Sequence, residues 1–340
     1  MKEFVISWPR PEEDLYAYLK SLSEKETTKH ASDRETFSLF YFYKNLEDAL
    51  NQMGIKHSRL FGSRYKVPTS NPDKNKIYLS YHSHSSKKHP NIFHVHTSGS
   101  VGYFTVDPLG FSSFSDVAKS SHYFEDSQKV DLNTATEWFD LFSKKYIEED
   151  MSRSYQSNHP PLELDEPYVF IAGQLSYDSV IKSHSNVNGQ QYYNKIAETF
   201  GNKGYKVVFK HHPATYISGN KSNQFYVPKH PSVIETKASI HSAIKNAAAV
   251  FVMNSGVGLE ALLHKKHVFT GGNCDYKWVT NQIKNLNEIE NCFDIIKKPV
   301  DTERIIKYIY YLHNHVYVDC YDIDSIKRKI QEILNQCKPL

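Results

Sequence analysis

Long hydrophobic runs are missing from this 340-residue chain: no apolar stretch approaches the ~18 residues that would mark a membrane-spanning helix. Met1 to Arg10 has neither the basic start nor the apolar centre of a signal peptide, so the expectation is a cytoplasmic protein. Cysteine is scarce. Cys274, Cys292, Cys320 and Cys337 are scattered without zinc-finger spacing or the density of a disulfide scaffold, which leaves them as free thiols. An excess of one charge is also lacking, since 41 basic residues face 38 acidic ones for a formal +3. That balance argues against a nucleic-acid partner and leaves any attraction to an anionic lipid surface or acceptor to local patches. Three fingerprints are absent: the glycine-rich dinucleotide turn, the Walker lysine loop and the G-x-S-x-G elbow. Nicotinamide-dependent enzymes, P-loop kinases and α/β-hydrolases lose support accordingly.

What is present suits a large core. Hydrophobic residues make up 39%, with 24 Tyr and 19 Phe, and the length fits two ordinary domains. The polar, proline-marked segment Arg153 to Pro167 is the expected boundary, giving domains 1–160 and 161–340, the last helix packing back on the first. In the N-terminal half, Phe4 to Ile6 reads as a strand, Leu15, Tyr18 and Leu19 as a helix face, and Glu35 to Met53 as a second helix. Strand-like pieces follow from Ile77. The histidines His82, His84, His89, His94 and His96 gather there, but without a convergent carboxylate or cysteine they read as surface or acceptor-groove groups rather than zinc ligands. Asp107 ends an apolar strand before Pro108 and Gly110, which presents it at a strand tip; an ordinary Asp-Pro turn explains the same pattern.

The C-terminal half alternates strand and helix, the pattern of a parallel, doubly wound sheet. Its centre is Ala247 to Gly272: a buried strand, the turn Asn254-Ser255-Gly256, a helix carrying Leu259, Glu260, Leu262 and Leu263, and a second buried strand. Polar groups stand just past successive strand ends, namely Gln174 and Asp178, Lys210 and His212, and Asn254, Ser255 and Glu260. Parallel strands would gather them at one edge, where open α/β sheets bind ligands and a helix N-terminus favours phosphate. The plainer alternative is that Ser255 only caps a helix and Glu260 is solvated. Asp322-Ile323-Asp324 looks like a metal motif but sits where an amphipathic helix needs a cap.

VFIAGQLSYDSVI, VVFKHHP and VFVMNSGVGLEALLHKKHVFTGG resemble three blocks of the bacterial capsule and lipopolysaccharide β-Kdo glycosyltransferases, which use CMP-Kdo. YFTVDPLGFSSFSD resembles that family's aspartate block. The chain departs from the pattern at His211, at Ser113 and at Lys265-Lys266-His267. The resemblance implies an α/β GT-B fold, two Rossmann-like domains facing a central cleft, with an acceptor-binding N-terminal domain and a CMP-sugar-binding C-terminal domain. It implies retaining transfer of Kdo (3-deoxy-D-manno-oct-2-ulosonic acid) to a glycan or glycolipid acceptor, with peripheral contact at the inner membrane or with capsule assembly proteins. By the same resemblance Asp107 is the catalytic carboxylate, as nucleophile or base. His212, Ser255 and Glu260 hold the CMP part, Gln174 and Lys210 stand near the phosphate or the sugar carboxylate, and Asn254 and Gly256 complete the donor loop. No metal or other cofactor is called for. Two alternatives stay open, a CMP-sialic acid-dependent sialyltransferase and a non-catalytic glycan-binding subunit.

Overall fold

Continuous apolar runs, rather than alternating ones, build most of the strands, and a strand buried on both faces belongs in a sheet covered by helices. The computed structural model describes residues 2–8, 31–61, 72–154, 156, 159–217 and 224–337. The helix expected around Leu15, Tyr18 and Leu19 lies outside the described residues. The chain divides into two units, Met1–Ser120 with Tyr311–Leu340, and Ser121–Tyr310. Arg153 to Pro167, expected as the boundary, therefore falls inside the second unit, because the helix before it packs with that unit.

The first unit begins with β1 (Glu3–Trp8), α1 (Ala31–Gln52), β2 (His57–Phe61), β3 (Lys76–Tyr81), β4 (Ile92–Thr97) and β5 (Tyr103–Asp107). The second unit carries α2 (Leu132–Glu148), β6 (Tyr168–Ala172), α3 (Gly189–Gly201), β7 (Lys206–Lys210), β8 (Val233–Glu235), α4 (Ile240–Lys245), β9 (Ala249–Val252), α5 (Val257–Leu263), β10 (His267–Thr270) and β11 (Asn281–Gln282). The chain then returns to the first unit as β12 (Val318–Asp319) and α6 (Ile323–Gln336).

In the first unit the sheet order is β12-β5-β4-β3-β1-β2, parallel from β4 to β2, while β5 and β12 each run against their neighbour. Its core joins Phe4, Ile6 and Trp8 to Phe42, Leu46 and Leu50 of α1 and to Ile326, Ile330 and Ile333 of α6. The i, i+4 and i, i+3 spacing on α6 is what turns those isoleucines to one face. Asp322 caps that helix by accepting from the Asp324 N–H, so the D-x-D pattern has a structural use.

In the second unit all six strands are parallel, in the order β11-β10-β9-β6-β7-β8. Side-chain caps start its helices: Asp131 accepts from Thr134 N on α2, Asn188 from Gln191 N on α3, and Ser239 from Ser242 N on α4. Phe170 pairs with Val250 and Ala172 with Lys210, so β9, β6 and β7 end level with one another. The loops after these three neighbours share one edge.

Candidate functional site

At that edge, Gln174 and Asn254 lock together. Gln174 Nε2 donates to Asn254 Oδ1 at 3.1 Å, the Asn254 N–H donates to Gln174 Oε1 at 2.9 Å, and Asn254 Nδ2 donates to Val180 O at 3.1 Å. Both amides are buried. These hydrogen bonds fix the loop after β9 against the loop after β6. Asp178 is engaged as well, capping the helix Ser179–His184 through the Val180 N–H.

Lys210 ends β7 and is buried, with Nζ donating to Ala238 O at 2.6 Å and to Lys237 O at 3.4 Å. Burial lowers its pKa to about 8 while the charges of Asp150 and Glu260 pull the other way. It stays mostly cationic at neutral pH. His212 Nδ1 accepts from the Ala214 N–H at 3.2 Å, which leaves Nε2 as the ring donor. Burial, helped by Arg153, lowers its pKa to about 4, so it is a neutral donor.

Ser255 Oγ stands 3.3 Å from the Val257 N–H, and its carbonyl accepts a short hydrogen bond from the Tyr276 hydroxyl. Gly256 is the N-cap of α5. Gly258 has to be glycine in this packing, since a Cβ there would run into the Tyr276 hydroxyl and meet its ring at 2.6 Å. The helix that follows is only seven residues long, so the loops matter more here than its dipole does. Glu260 is buried at 4% exposure rather than solvated. Burial raises its pKa to about 8; the Asp150 charge adds to this, and hydrogen bonds from Ser152 and Arg153 oppose it. Its Oε2 has no hydrogen-bond partner among the described residues.

In the first unit, the antiparallel register of β4 and β5 sets Asp107 opposite His94, and the parallel register of β3 and β4 sets His94 opposite Ser80 near the end of β3. Asp107 is buried, with Oδ1 accepting from the N–H groups of Leu109 at 2.7 Å, Gly110 at 2.9 Å and Asp116 at 3.0 Å. Oδ2 shares the Asp116 N–H at 3.0 Å. Burial raises its pKa and those backbone donors pull it back. The carboxylate therefore organises the 108–116 loop whatever else it does.

The histidines are not all at the surface. His94 and His96 are buried, because each is held by neighbours: His94 Nδ1 lies 2.7 Å from Ser83 Oγ, and His96 Nε2 lies 3.1 Å from His82 Nδ1. Phe111 stacks on His96 at 4.0 Å and Phe114 on His84 at 3.9 Å. Gly110 makes room for this, as a Cβ there would meet Cβ of both His84 and Phe114 at 2.8 Å. Among the described residues, no group of three or more His, Cys, Asp or Glu is arranged to hold a metal ion. Among them also, no helix is long and apolar enough to cross a membrane.

Sequence reasoning missed Asp150, Ser152, Arg153 and Tyr276. Their approach to Lys210, Glu260 and Ser255 comes from folding over long separations, and no local spacing signals it.

The described fold is similar to that of KpsC, beta Kdo 2,7 transferase, from Thermosulfurimonas dismutans, at TM-score 0.51 and 15% identity over 99% of this chain and 100% of that one. That likeness identifies the fold as GT-B. In sequence the chain is 31% identical over 137 residues to the capsule polysaccharide export protein KpsS of Escherichia coli, and 29% identical over 182 residues to protein FixF of Sinorhizobium fredii (strain NBRC 101917 / NGR234). These alignments cover 35% and 52% of this chain, and span only 34% and 41% of those longer relatives. The model of the family "Capsule polysaccharide biosynthesis protein" matches residues 117–318, more than half of the chain. The chain belongs to the capsule polysaccharide biosynthesis protein family.

Proposed function

We propose that this protein is a retaining glycosyltransferase that moves Kdo from CMP-Kdo to a glycan or glycolipid acceptor in capsule or lipopolysaccharide biosynthesis, at the cytoplasmic side of the inner membrane. The observation that carries the donor side is the level ending of β9, β6 and β7, which sets Lys210, His212, Ser255 and Glu260 along one sheet edge. A leaving cytidine phosphate needs positive charge and donors where its charge develops. Lys210 supplies the charge and the neutral His212 supplies an N–H. Gln174, Asn254 and Gly256 hold the loops in place. Support for the sugar comes from the sequence blocks and from the KpsC neighbour described as a beta Kdo transferase. Asp107 is the proposed catalytic carboxylate on the acceptor side.

Titrating CMP, UDP and GDP against the purified protein tests the donor assignment, with CMP expected to bind tightest. His212→Ala is expected to weaken CMP by roughly 1.5–3 kcal/mol, the cost of losing a hydrogen bond to a charged group. Equal affinity for the three nucleotides, or unchanged CMP affinity in folded His212→Ala, would remove the CMP reading.

In this reading Lys210 and His212 balance the phosphate charge, so a metal has no role. Transfer from CMP-Kdo is expected to continue in EDTA. Turnover lost in the chelator and restored by one added divalent metal would show that phosphate charge is balanced in another way.

A further inference from the structure

A groove of about 930 Å³ opens beside α3, within the size range of ligand sites, and the transfer reaction proposed above makes no use of it. One wall is α3, where Gln190, Asn194 and Glu198 follow one another at i, i+4 and i+8 on one face. The other wall is the segment from Gln224 to His230 that leads to β8. His211 lines the groove as well. Its ring lies 5.0 Å from that of Phe209, which packs on Tyr193 of α3, so alternation along β7 turns His211 to the α3 face and Lys210 away from it. A position at which the chain departs from the glycosyltransferase blocks thereby faces this groove.

The wall opposite α3 is held in shape. Gln190 Oε1 accepts from the Tyr226 N–H at 2.7 Å and Gln190 Nε2 donates to Tyr226 O at 3.1 Å, which clamps the Tyr226 backbone to the helix. Phe225 turns inward against Tyr193, with ring centroids 5.3 Å apart, and Gly189 leaves room for it, since a Cβ there would run into the Phe225 ring. Tyr226 is left 69% exposed. A bare aromatic ring on a clamped backbone is a flat surface ordered before any ligand arrives.

Polar groups flank that ring. Asn194 Oδ1 accepts from Gln190 Nε2 at 3.1 Å, which leaves Asn194 Nδ2 to donate. His230 Nδ1 accepts from the Ser232 N–H at 3.2 Å, which leaves Nε2 as the ring donor. Glu198 is engaged by Lys195 at 3.5 Å, whereas Lys229 pairs with no carboxylate among the described residues. The exposed ring suits the C–H face of a sugar, the N–H groups suit its hydroxyls, and the ammonium suits a carboxylate. A phosphate is less well served. Asn188 already caps α3 by accepting from the Gln191 N–H, so a phosphate would meet one lysine and no open helix end.

We propose that this groove is an accessory carbohydrate site that takes a stretch of acidic oligosaccharide, with a sugar ring on Tyr226 and a sugar carboxylate on Lys229. It holds glycan apart from the donor edge, on the face of the sheet that α3 covers.

Ligand-observed NMR titration of the intact chain tests the site, with a sialic acid tetramer as the carboxylated probe and maltotetraose as the neutral one. Tyr226→Ala removes the ring and keeps the backbone bonds to Gln190, and Lys229 is exposed, so both variants keep the fold. The parent is expected to bind the carboxylated chain more tightly than the neutral one, by a margin that shrinks as salt is raised. Tyr226→Ala should weaken both chains roughly tenfold, and Lys229→Ala should weaken only the carboxylated chain, to the level of the neutral one. No nucleotide and no transfer enter this titration, so a failure of the CMP-Kdo reading leaves its result unchanged. A parent that binds neither tetramer, or variants that bind both as the parent does, would overturn the site. A Lys229→Ala variant that still prefers the carboxylated chain would overturn its acidic preference.

Discussion

Asp107→Asn is expected to cut sugar transfer by on the order of 10²–10⁴-fold while CMP binding and the fold persist. The separation of these effects follows from how the carboxylate is held. Oδ1 carries the bonds from Leu109, Gly110 and Asp116, and Oδ2 only shares the last of these. An asparagine that keeps its oxygen at the Oδ1 position retains the loop, at a cost of about 1 kcal/mol in urea unfolding for the weakened bonds. It cannot act as a nucleophile or take a proton as the carboxylate does. Because burial raises the pKa of Asp107, transfer by the parent should rise with pH as this carboxyl ionises, and the variant should lack that limb. A loop-organising aspartate with no chemical part predicts near-parent turnover instead, and that result would overturn the catalytic assignment. If transfer collapses, intact-mass measurement of the parent with CMP-Kdo decides the role. A covalent sugar adduct marks a nucleophile, and its absence during turnover marks a base.

The sheet of the second unit was legible because local pattern and final environment agree. YVFIA is apolar throughout and forms β6, buried along its length, and the second buried strand expected before Gly272 is β10. Glycine, proline and capping residues stopped these runs where the chain turns. The unit boundary was not legible. Arg153 to Pro167 has the composition of a linker, yet the division is set by what α2 packs against, and that is a matter of distant contacts. The polar residues at the strand ends were found by placement, but their partners were not. Gln174 and Asn254 are 80 positions apart and satisfy each other. Glu260 reads locally as a first-turn carboxylate in water, yet it is buried, with Ser152 and Arg153 hydrogen-bonded to it. Asp150 itself reads as the end of a helix; nothing in the sequence marks its positive φ.

The burial of Glu260 carries the second large effect, a stability that depends on pH in a stated direction. Its folded pKa is raised from the ordinary 4.5 to about 8, first by burial and then by the Asp150 charge. A raised folded pKa means that the contribution of this group is fully present below 4.5 and is lost as pH climbs through about 8. At about 1.36 kcal/mol per pH unit, the loss across that window amounts to roughly 5 kcal/mol. Glu260→Gln copies the neutral carboxyl and does not titrate, so its unfolding free energy should gain on the parent steadily from pH 4.5 to 8 and run level with that advantage above. Lys210 does not blur the window. Its folded pKa is lowered to about 8, so its contribution changes only above that pH, as stability is lost on descending toward it. His94 and His212, both lowered to about 4, cost stability as pH falls below their ordinary 6.5, but they are common to parent and variant and cancel in the difference. Urea unfolding of both proteins at intervals from pH 4.5 to 9 measures it. A difference that stays flat across that range would mean that Glu260 is solvated and ionised in the folded protein, and the donor edge would lose its buried carboxyl.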